Sequence, residues 1–230
     1  MKNATGVMGG FYTVSEWIMQ FSLVNLQWFL FNLPITLLLL NLLYVERVAD
    51  AVVLLVPILL LLPFIFFPAT AAVFAKAREW VRKEEIEGAT RSFWSYYKEN
   101  YKKSMIGGIV FTILWAVLIG DIYYFSAANT VMMNIMFVLA FLLFVFTIHF
   151  LSVLVHYDMQ WKAVFKQAFL LTLGSPVLFI ATVVSVGLIL YISTYVFPLI
   201  IPFFTCSLVA FLAFSAFYRL HLKLTSTTEG

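Results

Sequence analysis

The chain has 230 residues, 63% of them hydrophobic and only 11% charged, with a formal charge of +3. So little polar surface cannot coat a soluble core holding that much apolar side chain, which excludes a water-soluble domain. The small net charge gives no reason to expect a nucleic-acid partner. A lone cysteine, Cys206, leaves neither an intramolecular disulfide nor a CxxC metal or redox pair.

Several apolar runs exceed the ~18 residues that a helix needs to cross a hydrocarbon layer. Runs such as LLVPILLLLPFIFF lack the strict alternation of a barrel strand. Backbone in lipid must satisfy its hydrogen bonds within the segment or in a closed barrel, so helices are expected. The reading is an all-α polytopic bundle, one transmembrane domain over residues 1–230, with about six spans. They are drawn at Trp17–Tyr44, Ala51–Phe74, Met105–Phe125, Val131–Val155, Ala168–Ser193 and Val196–Tyr218. The first exceeds the apolar core of a signal peptide and is expected to remain as an anchor.

Lys and Arg are retained on the cytoplasmic side during insertion. With the N-terminus inside, Lys2, the residues around 76–103, Lys162 and Lys166, and Arg219 and Lys223 put thirteen of the fourteen basic residues there, leaving only Arg47 outside. The expected orientation is N-in and C-in, in the bacterial cytoplasmic membrane. The outer connections, around Val45–Asp50, Ser126–Thr130 and Thr194–Tyr195, are too short to form a domain.

Span one carries Asn25, Trp28, Asn32 and Thr36 on one side. Amides in hydrocarbon need a partner, so the stripe either fastens helices together or lines a polar path. Pro34, then Pro57, Pro63 and Pro68 in span two, and Pro198 with Pro202 at span six each remove a backbone donor. Broken helices of this kind form transporter sites, although proline is common in membrane helices.

After span two comes a basic cytoplasmic loop, 76–103, whose second half places Phe93, Trp94, Tyr97 and Tyr101 at helical spacing among Arg91, Lys98, Lys102 and Lys103. A basic aromatic helix is expected to lie against anionic headgroups or to dock a partner. Within the loop, Glu84-Glu-Ile-Glu-Gly-Ala-Thr90 faintly resembles the coupling loop of sugar ABC-transporter permeases. The chain has no GxxxxGK[ST] phosphate loop, so ATP hydrolysis would belong to a partner.

Span three repeats a small residue every fourth position, Ser104, Gly108, Thr112, Ala116 and Gly120, which reads as a helix-packing seam. In span four His149, the one ionisable group well inside a span, shares a face with Ser152 and His156. It is a candidate for proton relay, set against a hydrogen-bonded packing role. Two histidines seven apart with no nearby carboxylate do not make a metal site, and no catalytic constellation or cofactor motif occurs.

Asn25-Leu-Gln-Trp28, Phe67-Pro-Ala-Thr-Ala-Ala72, Arg78-x-x-x-Arg82-x-Glu84 and Phe93 with Lys98-x-x-Tyr101-Lys102 together resemble the YesL family of bacterial membrane proteins. That resemblance implies a small integral membrane protein, commonly encoded near carbohydrate ABC transporters, with no family catalytic residues to transfer. The expected function is non-enzymatic: an accessory or regulatory protein associated with carbohydrate uptake, whose partners are the lipid bilayer and an ABC-transporter component. The alternative is a small transporter or channel lined by Asn25, Asn32 and His149. The oligomeric state is not readable from these residues.

Overall fold

Pro34, Pro63 and Pro202 each remove a backbone donor from an apolar run, and at each of them the regular α-helix is interrupted. The computed structural model describes residues 7–82 and 91–228, so Lys2, Lys83 and the run Glu84–Thr90 lie outside the described residues. Helix α1 (Val7–Phe31) ends one residue before α2 (Leu33–Leu42), which has Pro34 in its first turn, and the two are bent by 66°. Helix α3 (Val48–Leu61) passes through a widened π turn, Leu62–Phe66, into α4 (Phe67–Arg82). There Pro63 cannot donate, and Phe67 N–H reaches back five residues to Leu62 O.

Helices α5 (Phe93–Ala128) and α6 (Thr130–His156) form a long antiparallel pair whose junction is capped by Asn129 Oδ1, which accepts from Val131 N and Met132 N. A short α7 (Trp161–Gly174) follows. Ser175 then caps α8 (Pro176–Tyr191), which ends in a π turn, Ile192–Val196. A last π turn, Ile201–Thr205, opens α9 (Cys206–Thr228).

Among the described residues five stretches are long and apolar enough to cross a membrane: Val48–Arg82, Phe93–Ala128, Thr130–His156, Pro176–Val196 and Ile201–Ser226. The bent α1–α2 pair makes a sixth if it counts as one span. The polytopic all-α bundle expected from the apolar runs is therefore the observed architecture. Its boundaries shift where the breaks fall. The stretch drawn as one span from Ala168 is divided at Gly174–Pro176, and the last turn between spans lies at Phe197–Ile200 rather than at Thr194–Tyr195.

Helix α4 is the hub, touched by α1, α5, α6 and α9, and every residue from Phe67 to Ala77 is buried. A helix apolar on all sides belongs in a bundle centre, and five alanines keep this one thin enough for four neighbours. Trp17 meets Trp80 near one end of α1 while Trp28 meets Thr70 further along, so α1 and α4 run antiparallel. A second aromatic core, Phe111, Phe146, Phe150 and Phe165, joins α5, α6 and α7.

The loop read at 76–103 is mostly helix. Lys76–Arg82 completes α4, and Phe93–Lys103 makes the first three turns of α5, capped by Ser92 Oγ accepting from Ser95 N.

Candidate functional site

The polar stripe of span one divides among different partners. Asn25, fully buried, donates through Nδ2 to Ile201 O (2.9 Å) and accepts at Oδ1 from Ser207 N (3.0 Å), bridging the π turn that opens α9. A widened turn leaves a carbonyl and an N–H without their usual helical partners, and one primary amide supplies both missing bonds. Trp28 Nε1–H donates to Thr70 Oγ (3.0 Å), whose own hydroxyl donates to Phe66 O (2.7 Å). Asn32 Nδ2 returns to Trp28 O (2.8 Å), and Thr36 donates to Asn32 O. The Oδ1 of Asn32 is buried at the α1–α2 break with no partner among the described residues.

His149 has no exposed surface. Its Nδ1 lies 2.9 Å from Thr172 Oγ1 and its Nε2 3.0 Å from Thr182 Oγ1. Thr172 spends its only hydroxyl proton on Ala168 O (2.8 Å), so it accepts from Nδ1–H. Nε2 then accepts from the Thr182 hydroxyl, and the neutral imidazole is satisfied on both sides. Ten residues of straight helix cover ~15 Å, too far for one ring to bridge. The break at Gly174–Pro176 is what brings Thr172 and Thr182 to the same imidazole. Neither threonine stands out in sequence, since each is one hydroxyl in an apolar run.

Asn25 and His149 are thus joined to different elements while the Asn32 amide returns to the backbone of α1, and among the described residues no hydrogen bond links one of the three to another. Ser152, on the His149 face, donates to Ile148 O. His156 sits among Tyr157, Phe214, Phe217, Tyr218 and His221. Among the described residues no three His, Cys, Asp or Glu lie together as a metal could use them.

The charged end is built where α4 hands over to α5. Lys76, buried, pairs with Glu79 (2.9 Å) and donates to Arg91 O (3.0 Å), while Tyr96 O–H donates to the second oxygen of Glu79 (2.7 Å). A buried ammonium is tolerated only with such partners. Arg91 lies over the Tyr96 ring and pairs with Glu99 at 2.7 Å. Nearby, Lys103 bonds Asp158 at 2.5 Å, and that ammonium holds the exposed carboxyl below its ordinary range. Arg78 donates to Val155 O at the end of α6 and, with Lys103, His156 and Asp158, lines a cavity of about 360 Å3.

Of the aromatic residues in this region, Phe93 is buried against Phe31, whereas Trp94 is exposed with Lys98 over its ring. Lys102 is exposed and makes no ion pair among the described residues. Arg91, Phe93 and Lys103 therefore hold the end together, and Trp94, Lys98 and Lys102 face outward. The buried set Lys76, Glu79 and Tyr96 carries no signal in sequence beyond a lysine inside an alanine-rich run.

The small-residue seam divides similarly. Ser104, Gly108 and Thr112 are buried, and a methyl added at Gly108 would come within 2.9 Å of Pro63 Cα and Phe67. At Gly120 the same methyl meets nothing within 4 Å. The inner part of the seam is internal packing, Ala116 is half-buried and Gly120 is exposed.

Residues 21–122 match the family described as "Protein of unknown function, DUF624". The chain is 26% identical over 223 residues to "Uncharacterized protein YteU" of Bacillus subtilis (strain 168), covering 95% of this chain and 88% of that one. It is 25% identical over 171 residues to "Uncharacterized protein YesL" of the same organism, 74% and 70% of the two chains. "Uncharacterized protein YesV" is 27% identical over 147 residues, 60% and 67%. No solved structure matches. The resemblance to YesL read from the sequence is borne out.

Proposed function

We propose that this YesL-like membrane protein is a non-enzymatic accessory or regulatory component of the bacterial cytoplasmic membrane, with both termini inside, acting through its charged end. The observation that carries this reading is how the deep polar groups are spent. Asn25 and His149 have every side-chain polar atom bonded to a neighbouring helix or turn. A solute passing either one would have to replace those bonds in a medium without water.

The outward chemistry supports the same conclusion. Trp94, Lys98 and Lys102 present an aromatic ring and two cations at one end, suited to a partner or to anionic headgroups. The resemblance to YesL makes a component of a carbohydrate ABC transporter the favoured partner. The test is co-purification from the native membrane with the triple variant Trp94→Ala, Lys98→Gln, Lys102→Gln. Loss of the partner by about tenfold is expected from removing an exposed aromatic anchor and two charges, and an unchanged pull-down refutes the reading.

A second reading, a small transporter or channel, draws on one observation. Asn32 Oδ1 is a buried acceptor without a partner among the described residues, at a break where Pro34 also leaves Leu30 O without its usual donor.

A further inference from the structure

Between α1, α4 and α9 lies a cleft of about 450 Å3, walled by Trp17, Trp80, Phe211, Tyr218 and Leu222, with Ser215 and Arg219 at its polar side. Trp80 is held by stacking on Phe21 (4.4 Å), and Trp17 stands edge-on to Phe211 (5.8 Å), so the aromatic walls are fixed.

The polar groups of this cleft share one property. Trp80 Nε1–H is buried and has no hydrogen-bond partner among the described residues. Among those residues the Ser215 and Tyr218 hydroxyls make no hydrogen bond and the exposed Arg219 guanidinium makes no ion pair. Among the described residues no carboxylate lines the cleft. Donors and a cation without acceptors call for an anion, and aromatic walls call for an apolar body attached to it.

Position selects the source of that anion. Arg219 is the first charged residue after the apolar run beginning at Ile201, and Trp17 directly follows Glu16 at the start of the apolar part of α1. Charged and tryptophan residues at such ends mark the headgroup level of a bilayer. Phe211 lies in the apolar run before Arg219, and the exposed Ile18 follows Trp17 into the apolar part of α1, so apolar surface continues toward the membrane interior as an acyl chain requires.

We propose that this cleft is a binding site for an anionic phospholipid, its phosphate held by Arg219 with the Ser215 hydroxyl and the Trp80 N–H, and one acyl chain lying against Trp17 and Phe211. The site is independent of the Trp94 surface and stands whether or not that surface binds a partner.

The test is native mass spectrometry of the full chain in detergent, with phosphatidylglycerol, phosphatidylcholine and glycerol 3-phosphate as probes. Phosphatidylglycerol should be retained about tenfold better than phosphatidylcholine. Arg219→Gln should lower that retention by about tenfold, and Trp80→Phe, which keeps the stack on Phe21 but lacks the N–H, by about fivefold. Lys98→Gln with Lys102→Gln should leave it unchanged. Equal retention of the two lipids, or an unaffected Arg219→Gln variant, overturns the proposal. Equal loss from the Lys98 and Lys102 changes assigns the effect to general attraction and also overturns it. Displacement of the lipid by equimolar glycerol 3-phosphate shows a site for free phosphate and refutes the lipid assignment.

Discussion

Asn25 and Ser207, 182 residues apart, share a hydrogen bond of 3.0 Å from the Ser207 backbone N–H to the Asn25 amide oxygen, at the point where α9 unwinds into a π turn. The same amide donates to Ile201 O, so a side chain of the first span completes the backbone of the last.

Asn25→Leu strands that N–H and that carbonyl where water cannot replace the amide. A loss of about 1–3 kcal/mol of stability is expected, the cost of buried polar groups left unpaired. Thermal unfolding in detergent reads it as a lower midpoint. An unchanged midpoint shows that the amide contributes nothing to holding α9.

His149 and Thr182 form the corresponding link across the α7–α8 break. In a double-mutant cycle with His149→Leu and Thr182→Val, a favourable coupling of about 0.6 kcal/mol is expected, as found for hydrogen bonds between membrane helices. Zero coupling contradicts the link.

Two glycines of the same seam should respond oppositely to alanine. Gly108→Ala drives a methyl into Pro63 Cα, a backbone atom that cannot rotate away, and should cost about 1–3 kcal/mol. Gly120→Ala faces open space and should gain about 0.5–1 kcal/mol from helix propensity. Denaturation midpoints of the two variants check the contrast, and a destabilised Gly120→Ala would indicate that a partner helix covers that position.

The division between what could be read from residues and what could not follows the range of the interaction. Apolar run length identified the crossing helices, because crossing lipid is a property of one segment. Pro34, Pro63 and Pro202 announced breaks for the same local reason. By contrast, Thr70, Thr172 and Thr182 look like ordinary members of apolar runs, and only packing across 23 to 42 residues of sequence gives each its role. The pairing of Lys76 with Glu79 and Tyr96 was hidden likewise, because a lysine near a span end normally reaches water. The stripe from Asn25 to Thr36 was legible as a stripe, but its division among α9, α4 and its own backbone depends on where α1 bends.

Asn32 separates the two functional readings. Proteoliposomes containing the wild-type chain and the Asn32→Leu variant should show the same small-solute leak as protein-free vesicles. A flux present in wild type and absent in Asn32→Leu would favour the transporter reading.

The central claim, that polar groups deep in the bundle fasten helices and line no water-filled path, is most directly tested at Cys206. This buried thiol adjoins Ser207 and the Asn25 bond. In sealed vesicles of either orientation, treated with a membrane-impermeant methanethiosulfonate, Cys206 is expected to remain unmodified. Modification from either side would place an aqueous path beside Asn25 and contradict the claim.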